Sequence, residues 1–332
     1  MSKKAGITKD RLKADLENMG ILKGDHVAVA LSFKSLGFVE DGPDAFIDSL
    51  LEVLGAEGTI VMNAFTMSFP LGEVRRDYVF DPMVTVPYTG LVPRTLMRRK
   101  EARRSRHPTC SVAAVGRLAR YLTEGHDENS EPYLPYEKLA CVGGKLLCIG
   151  LDNRLVALRH EAQRRAGLFV VPNYHGVQYK NRDGRVCLYV WRLPPCMKRL
   201  PELVPELGSA GIIRRGMIGE ASSVVGSVDE LLAAMSSMLE KDPTLNLCYD
   251  FSCLSCRELE RRMDLYGRIR NLRFFQKSLF VRLLLNCRNR LLLRRYSCVS
   301  FYSSGWRRKI HPAFVVEVGI RRLVWLISKF LG

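Results

Sequence analysis

What the chain lacks narrows its function before any motif is read. It has no uninterrupted apolar run of about 18 residues, so no membrane-spanning helix is expected. The N-terminus, Met1-Ser2-Lys3-Lys4-Ala5, carries no apolar segment of the kind a secretory signal needs. Its ten cysteines follow no framework spacing, which points to free thiols in a reducing cytoplasm. Cys248-x4-Cys253-x2-Cys256 holds one metal-like pair, but no second Cys-x-x-Cys and no neighbouring His accompany it, so no metal site is expected. Acidic residues are short overall, 34 against 51 basic for a net charge of +17, yet the shortage is local. From Phe251 onward there are 18 basic and 4 acidic residues; the first 250 residues hold 33 and 30. Most of the chain is therefore nearly neutral, and the tail owns the basicity.

What remains is globular: 47% of residues are apolar and 26% charged across 332 residues. That length suits two domains, or one large α/β domain with an appendage. Thr8 caps a helix whose stripe is Leu12, Leu16, Met19 and Leu22, and Gly20 and Gly24 end it. His26–Leu31 reads as a strand, Pro43–Leu54 as an amphipathic helix, and Thr59–Met62 as a second strand leading into Asn63-Ala64-Phe65-Thr66. Ser68–Tyr88 shows no period and is expected to be a long surface loop. Gly90–Arg99 reads as a helix, and the polar, Pro-rich stretch Thr123–Leu139 as a second loop. Gly143-Gly144-Lys145 lacks the spacing of a phosphate loop and reads as a turn entering a strand, Leu146–Gly150. Val177–Trp191 should form a hairpin with positive φ angles at Asp183-Gly184, and Ser227 should cap a helix carrying Glu230 three residues on.

The stretch from Arg103 to Gly167 concentrates the residue types of an acyl-transfer site. It opens Arg103-Arg104-Ser105-Arg106-His107-Pro108-Thr109-Cys110-Ser111, passes through the strand ending at Gly150, and closes with Ala157-Leu158-Arg159-His160-Glu161-Ala162-Gln163. A loop leaving the end of an open α/β strand is a common ligand position, and His160 would lie just beyond it. His107 precedes a proline and is biased toward extended backbone. Its residue type suits either a direct chemical role or a buried histidine bonded to backbone.

Arg-Ser-x-His-Pro-x-x-Ser-x-x-Ala-x-Gly, then Gly-Gly-Lys-x-Leu-x-x-Gly, then a His ten residues on, resembles the aminoglycoside N3-acetyltransferase family. The resemblance reaches back to Gly24-Asp25, Ser32-Phe33-Lys34-Ser35-Leu36-Gly37 and Gly58-Thr59-Ile60-Val61-Met62, and forward to Arg182-Asp183-Gly184 and Gly216–Ala221. It spans roughly residues 8 to 245. It implies a three-layer αβα sandwich around a central mixed sheet and an acetyl-CoA-dependent N-acetyltransferase of 1–247, acting on a primary amine of an amino sugar or aminoglycoside-like acceptor. On this resemblance Ser32, Lys34, Ser35, Leu36 and Gly37, with Arg103, Arg104, Ser105 and Ser111, are the expected acetyl-CoA contacts. Phe65, Thr66 and Gln163 are expected to face the acceptor, and His160 and His107 to serve the chemistry. An imidazole suits the base because the acceptor ammonium must lose a proton on attacking the thioester. The family pattern Thr-x-x-His-x-x-Glu reads here with Ala157 and Gln163 at its first and last positions.

Residues 248–332 are expected to form a basic, mainly helical extension. On a helical wheel 313–331 place Val315, Val316, Ile320, Leu323, Val324, Leu326, Ile327, Phe330 and Leu331 on one half and the charges on the other. That stripe suits peripheral contact with an anionic membrane, or packing on the enzyme's own surface or in a homodimer; nucleic acid is the less favoured partner. The competing reading of the whole chain is a catalytically impaired scaffold whose basic tail binds membrane, glycan or nucleic acid.

Overall fold

The computed structural model describes residues 6–151, 155–168, 174–196, 203–248, 250, 252–253, 255–257, 259–260 and 299–302. In chain order the first half runs α1 (Lys9–Asn18), β1 (His26–Leu31), a 3-10 turn (Phe33–Leu36), α2 (Gly42–Leu54), β2 (Thr59–Asn63), β3 (Phe69–Pro70), β4 (Val79–Phe80), α3 (Leu91–Met97), β5 (Arg103–Arg104), β6 (Val112–Gly116), α4 (Ala119–Thr123) and α5 (Leu134–Cys141). The second half runs β7 (Lys145–Ile149), α6 (Val156–Arg165), β8 (Tyr174–Lys180), β9 (Val186–Arg192), α7 (Leu203–Ser209), β10 (Ile213–Ile218), β11 (Ala221–Ser227), α8 (Val228–Lys241) and β12 (Val299–Tyr302).

Seven strands make one mixed sheet in the order β10-β11-β7-β1-β2-β6-β5. β7, β1 and β2 are parallel, while β6 and β11 run against them. The strand period of two divides each strand between two cores. Val27 and Val29, Ile60 and Met62, and Leu147 and Ile149 face α1, α2 and α3. Ala28, Val61, Leu146 and Cys148 face α4, α5, α6 and α8. Both faces are covered, which is why the strands read as continuous apolar runs, and the three-layer αβα expectation holds.

A second sheet, β12-β9-β8-β3 with β4 on β8, lies on the α6 side, where Val177, Tyr179, Tyr189 and Trp191 join the same core as Leu158 and Ala162. Only its β8–β9 hairpin was legible in sequence. The hairpin loop runs from Asn181 to Arg185 with positive φ at Gly184 alone, because Asn181 Oδ1 accepts from the Asp183 and Arg185 N–H groups and shapes the turn itself. The stretch from Ser68 to Tyr88 is not a plain surface loop: it contributes β3 and β4, and Phe80 is fully buried. Thr123–Leu139 is likewise not all loop. Pro135 sits in the first turn of α5, a position where a missing N–H costs no hydrogen bond. Thr8 caps α1 as expected by accepting from the Arg11 N–H, whereas Ser227 makes no side-chain cap.

Within 248–332 the described residues include β12, which pairs in parallel with β9 from Val299↔Leu188 to Tyr302↔Trp191. The amphipathic stripe 313–331 lies outside the described residues. Among the described residues no helix is long and apolar enough to cross a membrane.

Candidate active site

Parallel strands bring their C-terminal ends to one edge, and antiparallel neighbours are entered from that edge. Leu31, Asn63 and Ile149 therefore end beside the segments that open β6 and β11. The loop after β1 and the loop after β7 touch there. Ser32 N–H donates to Ile149 O at 2.9 Å, Ser35 Oγ donates to Ser32 Oγ at 2.8 Å, and a Cβ at Gly150 would fall 2.4 Å from Ser35 Cβ. Gly150 also holds φ at +62°, so both conformation and space require glycine. The β10–β11 turn closes the same corner through Glu220 N–H to Leu36 O, 2.9 Å. Of the five residues expected to hold the acetyl donor here, Lys34 is exposed and Ser32, Ser35 and Gly37 are partly exposed. Leu36 turns its side chain wholly into the α1–α2 core, and its carbonyl is engaged by Glu220. Lys145 sits at the opposite end of β7, ion-paired to Asp25 at 2.6 Å, so it is no phosphate ligand.

α6 begins beside the end of β7, where Leu155 N–H bonds the Cys148 thiol. His160, one turn into the helix, is 7% exposed and stacks on Tyr133, ring centroids 5.7 Å apart. Its Nδ1 lies 2.8 Å from Gln163 Oε1. Gln163 Nε2 donates to Cys196 O at 3.3 Å, and a carbonyl can only accept, so the amide orientation is fixed and Oε1 faces the imidazole. Nδ1 must then carry the proton, leaving the Nε2 lone pair as the reactive one, and Nε2 bonds no described residue. Burial holds the imidazole far below its ordinary value, to about 3; the Arg159 charge adds to this and the Gln163 bond opposes it. Gln163 is fully buried, so it orients the histidine rather than meeting an acceptor directly.

Glu161 points elsewhere. It is fully buried against Arg164 (2.7 Å) and Arg165 (3.1 Å), and Arg164 reaches on to Glu137 at 2.6 Å. Burial pushes its carboxyl up to about 7 despite these cations.

The Arg103–Ser111 segment lies at the right edge but does different work from that expected. Arg103 is exposed on the edge strand β5. Arg104 is turned inward: its Nε donates to Ser111 Oγ (3.2 Å), Nη2 to Ala64 O (3.0 Å) and Nη1 to Thr85 O, with its plane over Phe80. Burial draws its guanidinium down to about 10. It fastens the 80–85 loop to the sheet and has no fork left for a phosphate. Ser111 Oγ is spent on Ala64 O at 2.6 Å. Ser105 Oγ accepts from Val112 N–H (2.9 Å) and lies 2.9 Å from His126 Nδ1. Both serines are buried, so neither meets the acetyl donor as expected.

His107 is fully buried and stacked on His126 at 4.8 Å. Its Nδ1 accepts from Cys110 N–H at 3.0 Å, which makes Nε2 the donor to the Tyr189 hydroxyl at 3.1 Å. Both nitrogens are committed. Its place is the buried-histidine alternative, an anchor for the 105–111 turn, and not a reagent. Thr66 is corrected for the same reason: it is buried, donating its hydroxyl to Pro108 O (2.6 Å) and its N–H to Thr109 O (3.0 Å). Phe65 is partly exposed and remains available as an acceptor wall. Sequence reasoning missed His126, Tyr133 and Asn63, whose Oδ1 accepts from Tyr136 at 2.9 Å. They sit in loops or strand ends with no periodic signal, and only their partners reveal them.

The edge, its glycine-permitted corner and the imidazole held by Gln163 define a candidate site on an α/β scaffold, and comparison with known proteins supplies the family. A family model described as aminoglycoside 3-N-acetyltransferase matches residues 29–240. The chain belongs to that family of acyltransferases. It is 30% identical over 272 residues to aminoglycoside N(3)-acetyltransferase III of Serratia marcescens, covering 70% of this chain and 97% of the relative. It is 29% identical over 253 residues to aminoglycoside N(3)-acetyltransferase VII of Streptomyces paromomycinus, covering 65% and 86%. Among solved structures it resembles AAC-IIIb in its binary complex with CoASH, TM-score 0.64 at 25% identity, covering 71% of this chain and 97% of that one. The fold also matches the apoenzyme of aminoglycoside acetyltransferase AAC(3)-IVa, TM-score 0.67 at 23% identity, over 79% and 99%.

Proposed function

We propose that the protein transfers an acetyl group from acetyl-CoA to a primary amine of an aminoglycoside or related amino sugar, with His160 as general base. The observation that carries this is the state of His160: neutral, its Nδ1 proton fixed by Gln163 and its Nε2 bonded to no described residue, on the helix that leaves β7 next to the Ser32–Gly37 corner. Membership of the family supports the reaction, and the CoASH complex of AAC-IIIb supports the donor. The exposed Lys34 and the Ser32, Ser35 and Gly150 corner are the residues suited to the donor, since close backbone approach and a flexible cation favour a phosphate-bearing ligand.

In the reaction the amine nitrogen forms a bond to the thioester carbonyl carbon, the carbon–sulfur bond breaks, and the departing sulfur takes the electron pair. The nitrogen's surplus proton passes to His160 Nε2. Gln163 keeps the ring in the one tautomer able to accept it. Ala157 supplies no hydroxyl to the developing oxyanion and is packed in the apolar core, so that charge must be met by backbone N–H groups or solvent.

Mass spectrometry of a panel of aminoglycosides and amino sugars incubated with acetyl-CoA tests the reading. A gain of one acetyl group on an amine, lost in His160→Ala, is the expected result. Absence of any acetylated product, together with no thermal stabilisation by acetyl-CoA, overturns it.

A further inference from the structure

Four cysteines from two separate stretches meet where β9 ends and the chain leaves α8. Cys196, Cys248, Cys253 and Cys256 place their Sγ atoms all within 4.8 Å of one another, the only group of three or more metal-ligating side chains among the described residues. We propose that these four sulfurs bind one zinc ion as a closed, structural tetrathiolate site.

Spacing is the first support. A tetrahedral zinc with bonds of about 2.3 Å sets its sulfurs about 3.8 Å apart, and the four Sγ atoms need to draw in by about an ångström at most. Composition is the second: four soft thiolates in a compact cluster select zinc over hard cations, and no position is left open for a reactant. The backbone is the third. Cys248 N–H donates to Cys256 Sγ at 3.1 Å, and Cys256 N–H bonds Cys253 Sγ, the N–H to sulfur contacts that steady a thiolate. Asp250 shapes the loop between them, its Oδ1 accepting from Ser252 N–H (2.9 Å) and its carbonyl from Cys253 N–H (2.9 Å). By contrast Cys110, Cys148 and Cys187 are dispersed singly through the apolar core, as inert thiols are.

The sequence pattern supplied only three ligands, in one Cys-x4-Cys-x2-Cys run. The fourth, Cys196, arrives from 52 residues earlier in the chain, which no spacing rule could pair with them. Its placement also says what the ion does. The Cys196 carbonyl receives Gln163 Nε2, so the same residue that would hold the ion holds the amide that orients His160. The ion would clamp the start of the basic segment onto the strand exit that supports this pair. Binding converts four thiols to thiolates and releases their protons to solvent, leaving the site with two net negative charges.

The test is metal content of the full chain, purified without a histidine tag and measured by inductively coupled plasma mass spectrometry. About one zinc per chain is expected, retained in Cys141→Ser, whose thiol is exposed and outside the cluster, and lost in Cys253→Ser and Cys256→Ser. Cobalt exchanged into the wild type should show the visible d–d bands of a tetrahedral thiolate site, a readout that survives even where the variants fail to fold. Folded wild-type protein with less than about a tenth of a zinc per chain overturns the proposal. So do iron in place of zinc, or two disulfides among these four cysteines in non-reducing peptide mapping.

Discussion

Acid should unfold this protein well before its carboxylates are exhausted, because three histidines are buried neutral. His107 and His126 lie stacked beneath the 105–111 turn, and His160 sits under Tyr133; none is more than 7% exposed. Burial holds His126 and His160 to about 3 and His107 well below its ordinary 6.5. Their folded values are depressed, so between about pH 6.5 and 3 the unfolded chain binds protons the folded one refuses. The stability they lend is complete above pH 6.5 and is lost as pH falls. At pH 5 each unfolded histidine gains about 2 kcal/mol, or about 6 kcal/mol for the three. Glu161 works in the other direction. Its folded value is raised to about 7, so the stability it lends is lost as pH rises through 7 and restored as pH falls, offsetting about 2 kcal/mol of the histidine loss by pH 5.

The net is about 4 kcal/mol lost between pH 7 and pH 5. With a urea m-value of about 3 kcal/mol/M, the unfolding midpoint should fall by roughly 1 M. Urea titrations followed by tryptophan fluorescence at half-unit pH steps give the slope. His126→Gln is the decisive variant, because the amide can still accept from Ser105 and donate to Pro132 O as the imidazole does. It should flatten the slope by about one proton whatever it does to absolute stability. A midpoint that moves by less than about 0.3 M between pH 7 and 5, or an unchanged slope in the variant, refutes the reasoning.

Four further outcomes follow from the site. His160→Ala should lower kcat by about 10²- to 10⁴-fold while thermal stabilisation by acetyl-CoA persists; full turnover would remove His160 from its role. Gln163→Glu places a carboxylate on Nδ1 and should raise the His160 pKa by about 1–3 units, carrying the acid limb of the kcat/KM profile to higher pH, which a pH series reads directly. Gly150→Ala drives a Cβ into Ser35 at a φ of +62°; it should cost about 1–2 kcal/mol from backbone strain alone, and raise KM for acetyl-CoA more than KM for the amine. Arg104→Lys should lose about 2–3 kcal/mol, because a single ammonium cannot serve Ser111, Ala64 and Thr85 at once, with KM for acetyl-CoA left unchanged if the residue meets no phosphate.

The αβα layers were legible because the central strands β1, β2, β6 and β7 are short, largely apolar and bracketed by turn residues, and α2 and α8 carry apolar stripes. The second sheet was not, since β3 and β4 are two-residue strands and β12 is recruited from beyond residue 298. The family resemblance pointed to His160 and the Ser32–Gly37 loop, and the structure brings that loop and the start of α6 to the end of β7. It also pointed to Arg104, Ser105, His107 and Ser111, whose polar groups turn inward to satisfy backbone. A polar residue in a loop can serve a ligand or the loop itself, and only its partners decide which. Cys196 illustrates the opposite failure: a residue with no local signal that becomes informative once the fold brings it to three others.

The glutamine at 163 and the dryness of His160 belong together. A glutamate there would be a second buried carboxylate on α6, whose Arg164 and Arg165 are already drawn on by Glu161, a carboxyl that burial still pushes up to about 7. Neither arginine is left to neutralise another charge, and an uncompensated buried carboxylate is costly. Glutamine keeps the acceptor for Nδ1 and adds a donor for the Cys196 carbonyl, which a carboxylate would repel. The consequence is a histidine held in one tautomer without electrostatic help for its protonated form. A base of that kind works only while the acceptor amine brings compensating polarity into the pocket. The Gln163→Glu pH profile therefore reports more than a side-chain exchange: a raised acid limb with unchanged limiting kcat would mean that bound substrate, and not residue 163, stabilises the imidazolium.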